Sequence, residues 1–83
     1  MANQHEIDGY QHGQAAGSWV FDGNTTRRTY AAVLRGIEDG DPEILDQLPQ
    51  PGPGATADYA LAFAQGVEDE VTRAARYQLG EDA

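Results

Sequence analysis

WVFDGNTTRRTYAAVLRGIEDGDPEILDQL, residues 19–48, is the stretch whose reading decides the fold. Within it, Tyr30, Val33, Leu34 and Ile37 stand at i, i+3, i+4 and i+7. That spacing puts four apolar side chains on one face of a helix. Ala31 and Ala32 favour the helical backbone, and Gly40 ends it in the left-handed conformation glycine allows. Asn24 or Thr25 is the expected cap, which gives a helix over 25–39. Asp41 and Pro42 then restart a helix at once. Aspartate caps, proline takes the first helical position, and Glu43 sits at the positive end of the helix dipole. Ile44, Leu45 and Leu48 give this short helix, 42–48, its apolar face, and Pro49 stops it.

Toward the N-terminus the pattern is weaker. A helix over 4–21 is expected, with residues 1–3 frayed and with Ile7, Tyr10 and Gln14 on one face. Gly9, Gly13 and Gly17 recur every four residues and so form a single stripe. Each costs about 0.5–1 kcal/mol against alanine in a helix, and the close approach of a second helix is the physical reason to keep all three. Trp19, Val20 and Phe21 form the most apolar triplet in the chain. They are expected to plug the core, with Gly23 as a left-handed stop.

Toward the C-terminus, PQPGPGA at 49–55 is a crossover of proline and glycine that cannot be helical. Thr56 caps a long helix over 57–79, ended by Gly80, with 81–83 as a tail. Ala60, Ala64, Val67, Val71, Ala74 and Gln78 alternate spacings of four and three, widened by Leu61, Phe63 and Tyr77. This near-heptad seam of small residues can face the other helices or a second copy of itself. The whole is expected to be one all-α domain over 1–83, a small bundle of three main helices plus one short helix.

Of the 40% apolar residues, thirteen are alanine and about twenty are large side chains. At roughly 1.5–3 kcal/mol for each large side chain fully buried, against about 1–2 kcal/mol of chain entropy per residue, such a core needs very close helix packing or a second chain. No cysteine is present, which excludes disulfide and thiolate chemistry. No apolar run serves as a signal or a membrane span, so a cytoplasmic protein is expected. Fourteen acidic residues face five arginines and no lysine, a net charge of −9. That charge repels phosphate and anionic lipid and favours basic protein partners over direct nucleic-acid or membrane binding.

His5, Asp8 and His12 share a helix face, but His5 and His12 stand two turns apart, roughly 10 Å, too far for one ion. Glu38, Asp39, Asp41, Glu43 and Asp46 gather five carboxylates in nine residues, without the ligand order of an EF-hand loop. A carboxylate pair for acid–base work needs a desolvating cleft. No catalytic residue, metal ligand or cofactor is therefore assigned. Arg27 and Arg28 stand in the first turn of a helix, where the dipole disfavours cations. A salt bridge to Glu68, Asp69 and Glu70 or to Asp22 would compensate; alternatively the pair grips an acidic group on a partner. The two carboxylate clusters, if aligned with Asp58, would imitate a row of DNA phosphates. Arg27, Arg28, Glu38, Asp39, Asp41, Glu43, Asp46, Glu68, Asp69 and Glu70 are thus the candidate partner-binding residues.

The blocks Ala16-Gly-Ser-Trp-Val-Phe-Asp-Gly-Asn-Thr-Thr, Leu34-Arg-Gly-Ile-Glu-Asp-Gly-Asp-Pro-Glu-Ile-Leu-Asp and Asp69-Glu-Val-Thr-Arg-Ala-Ala-Arg-Tyr-Gln-Leu cover more than a third of the chain. They resemble small acidic proteins encoded by actinobacterial phages and prophages. The shared residues are caps and core positions, so no functional residue carries over. The resemblance implies a phage accessory protein working in the host cytoplasm. The function expected from all of this is a non-enzymatic acidic module that binds, and modulates or inhibits, a host or phage protein. It has the option of self-association through helix 57–79. A DNA mimic and a small virion assembly component are the alternatives.

Overall fold

The computed structural model describes residues 3–80 of the 83. They form an all-α arrangement of three main helices and a short one: α1 (Gln4–Gly17), α2 (Arg27–Asp39), α3 (Pro42–Leu45) and α4 (Ala57–Leu79). The frayed residues expected at 1 and 2 and the tail at 81–83 lie outside the described residues. Asn3, expected to fray, is the cap of α1: its side chain accepts from the Glu6 N–H. Thr26 caps α2 through the Thr29 N–H, and Thr56 caps α4 through the Tyr59 N–H. Each cap satisfies a donor that the helix itself leaves free. Gly40 and Gly80 close α2 and α4 with φ of 69° and 77°. A Cβ is disfavoured in that conformation.

α4 is the axis of the molecule. α1 lies against it in parallel: Gly9 meets Tyr59, Gly13 meets Phe63 and Gly17 meets Val67. Both numbers rise together, and the contact is backbone to backbone. A Cβ on Gly9 would stand 2.5 Å from the Tyr59 carbonyl oxygen, and one on Gly17 would stand 3.0 Å from that of Val67. One on Gly13 would collide with the Phe63 carbonyl. α4 returns the favour at Gly66, where a Cβ would strike the Tyr10 carbonyl. The stripe of glycines thus serves close approach, and dispersion over two bare backbones stands in for large apolar side chains.

α2 lies across the C-terminal half of α4. Tyr30 and Leu34 pack on Ala75, while Val33 and Ile37 reach a second cluster of Leu48, Phe63, Val67 and Val71. Val67 and Val71 are the most buried large side chains. Phe21 touches both clusters and meets Tyr30 edge to face, ring centres 4.5 Å apart. α3 folds back onto α2 because Gly36 leaves room for the Ile44 side chain.

Several expectations need correction. α1 ends at Gly17, not at 21, with Ser18 as its cap. The Trp19 and Val20 N–H groups bond back to the Ala16 and Gly17 carbonyls, a tightened turn that delivers Val20 and Phe21 to the core. Trp19 stands between the helix and those residues and is turned outward, 86% exposed, so it plugs nothing. Gly23 is not left-handed and has open space around it. α2 starts at Arg27, and Thr25 and Asn24 instead close a turn on Asp22. α3 stops at Leu45, and a tightened turn then carries Leu48 into the core. The buried face of α1 is the glycine stripe, not Ile7, Tyr10 and Gln14. The buried face of α4 runs through Phe63, Gly66, Val67, Val71 and Ala75, leaving Ala64 and Gln78 exposed along with Leu61 and Tyr77.

Candidate protein-binding surface

Arg27 has no carboxylate partner of the kind expected. Its guanidinium donates to the Gln78 and Leu79 carbonyls, at 3.1 and 3.3 Å. Those carbonyls belong to the last turn of α4, the negative end of its dipole, where acceptors lack partners within the helix. One cation thus sits unfavourably at the start of α2 and favourably at the end of α4. Asp22, the other candidate partner, is spent on its own turn, accepting from the Asn24 N–H at 2.8 Å. Arg28 is exposed.

The carboxylates are dispersed. Glu68, Asp69 and Glu70 are consecutive on α4, so the helix turns each about 100° from the last. Glu68 lines a shallow hollow with Asp46, Leu45 and Leu48. Asp69 accepts from the Tyr10 hydroxyl of α1 at 2.6 Å and from the Gln65 amide on its own helix at 2.8 Å. Glu70 pairs with Arg73 at 2.6 Å, and Glu38 with Arg76 at 3.4 Å. The Asp41 side chain accepts from the Glu43 N–H and caps α3. Asp39 and Asp41 border a separate hollow with Arg35 and Ile44. His12 Nδ1 lies 2.6 Å from the Tyr59 hydroxyl. Among the described residues, no three His, Asp or Glu side chains converge as an ion site.

What the sequence reading missed is a groove. On the outer side of the α1–α4 pair lies an open trough of about 530 Å³, lined by Glu6, Ile7, Tyr10, Gln11, Asp58, Leu61, Ala62 and Gln65. Its lining is mostly apolar, with Ile7 40% and Leu61 74% exposed. It exists because the glycine contact draws the two backbones together and leaves the flanking side chains standing as walls. Polar bonds brace both ends. Asn3 donates to Asp58 at 3.0 Å near the N-terminal end, and Tyr10 reaches Asp69 at the other. The hydrogen bond to the Asp69 carboxylate, with some burial and the negative charge of Asp69 and Glu70, raises the Tyr10 phenol above the ordinary tyrosine range. The lining carries two carboxylates and no cation. A second hollow, between Phe21, Asp22, Arg27, Tyr30, Glu70 and Gln78, is more polar.

No helix among the described residues is long and apolar enough to cross a membrane. Compared with protein-family models, with curated proteins and with solved structures, the chain finds no match.

Proposed function

We propose that this chain is a non-enzymatic acidic module that binds another protein through the α1–α4 groove. The observation that carries this reading is the exposure of Ile7 and Leu61 on facing walls of one apolar trough. Large apolar side chains left together in a concavity cost solvation in the free chain and gain it on covering. Trp19 adds a second exposed anchor of the type enriched at interfaces. The resemblance to phage proteins supplies a setting, that of an accessory protein that modulates or inhibits a host or phage protein in the cytoplasm.

A DNA mimic finds less support, since Glu38, Asp69 and Glu70 are each engaged within the chain and Asp41 is a cap. Self-association through α4 also finds less, because Val67 and Val71 of its seam are covered by the chain's own residues. Affinity capture from an actinobacterial host, run with the natural chain and with Leu61→Lys as parallel baits, tests the proposal. A stoichiometric protein held by the first and lost by the second supports it. An identical set on both baits overturns it.

A further inference from the structure

The occupant of the groove is written in its charge. Resting on the reading of the trough as a protein-binding site, we infer that its partner presents a basic amphipathic helix. Asp58 to Gln65 spans about 10 Å of α4 at the helical rise, which matches two turns of a docked helix. The apolar middle, with Ile7 on one wall and Leu61 on the other, accepts side chains at i and i+4 of such a segment. Glu6 and Asp58 flank the N-terminal end from opposite walls. Lysine or arginine at that end of the occupant would face carboxylates without meeting a cation from the lining. The chain's net charge of −9 adds long-range attraction for the same partner. It also works against a second copy, which would bring the same carboxylates face to face across the apolar strip.

The probe is a fluorescein-labelled helical peptide of about four turns, leucine on one face and lysine on the other. Glutamine and glutamate versions of its polar face serve as comparisons. Binding is followed by fluorescence anisotropy at two salt concentrations and by methyl NMR shifts of Ile7, Leu61 and Ala62 in the natural chain. The lysine peptide is expected to bind at least tenfold more tightly than the glutamine version and to move those methyl signals. Leu61→Lys, at an exposed position, weakens it at least tenfold. Glu6→Gln combined with Asp58→Asn weakens it about threefold and flattens the salt dependence. Tyr77→Ala, on another face, changes nothing. Equal binding of the glutamine or glutamate peptide at the same methyl groups overturns the basic partner and leaves the groove as a binding site. Lysine-peptide binding that survives Leu61→Lys and leaves the methyl signals still overturns both. Dimerisation abolished by Leu61→Lys in sedimentation assigns the groove to a second copy and overturns the basic partner.

Discussion

Gly13 of α1 lies so close to the carbonyl of Phe63 in α4 that no side chain fits between the two backbones. The neighbouring glycine contacts are less severe: a Cβ would stand 2.5 Å from the nearest carbonyl oxygen at Gly9, still a clash, and 3.0 Å from it at Gly17. Substitution to alanine gains about 0.5–1 kcal/mol of helix propensity at each position. At Gly13 that gain is overwhelmed, because the obstacle is backbone and the helices must separate. Gly13→Ala is expected to cost about 2 kcal/mol or more, and Gly17→Ala distinctly less. Urea unfolding of the three single variants checks the order Gly13, Gly9, Gly17. A flat series would show that α1 does not dock as described.

Arg27 joins the start of α2 to the end of α4. Arg27→Gln removes two hydrogen bonds to carbonyls and one favourable charge, while relieving an unfavourable one in α2. The net loss is expected to be about 0.5–1 kcal/mol, with faster amide exchange in the last turn of α4. Unchanged exchange there would argue that the contact contributes nothing.

Trp19 is the chain's one tryptophan, so fluorescence reports it alone. At 86% exposure, its emission should already be that of a solvated indole and shift little on unfolding. Trp19→Ala should leave stability within about 0.5 kcal/mol. A large red shift on denaturation would place the indole in the core after all.

Tyr10 provides a pH test. Its folded-state pKa is raised, chiefly by the hydrogen bond to Asp69. The protonated phenol is therefore the form the fold favours. Its contribution is fully present below about pH 10, the unfolded value, and is lost as pH rises through the higher folded value. In a phenolate absorbance titration, Tyr10→Phe should remove a step that lies above the ordinary tyrosine range. The difference in Tm between the two proteins should vanish in the alkaline range.

Much of this architecture is local chemistry and so can be read along the chain. Thr56, Gly40, Asp41, Pro42 and Gly80 act on backbone groups within four residues of themselves. Tyr30 and Leu34 follow from a helical period. The glycine stripe announced a close neighbour, though not which helix. What the chain hid is non-local. Trp19 is as apolar as Val20 and Phe21, and only the tightened turn after Gly17 decides which of the three faces water. Arg27 found its compensation in carbonyls some fifty residues away, where a search for opposite charge sees nothing. The groove had no signal of its own. Ile7 and Leu61 read as ordinary core positions, and they stand exposed because the contact between α1 and α4 is made by backbone instead of by them.

The pairs Gly9–Tyr59, Gly13–Phe63 and Gly17–Val67 are all separated by the same fifty residues. Among the helices, α1 packs on α4 alone. Closing a loop of that length costs about 3–4 kcal/mol of chain entropy, and nothing repays it until the glycines are in register. Docking of α1 on α4 should therefore come late, after each helix has formed. That is slower than short-range helical hairpins allow. Any opening of the glycine register would take one wall of the groove with it.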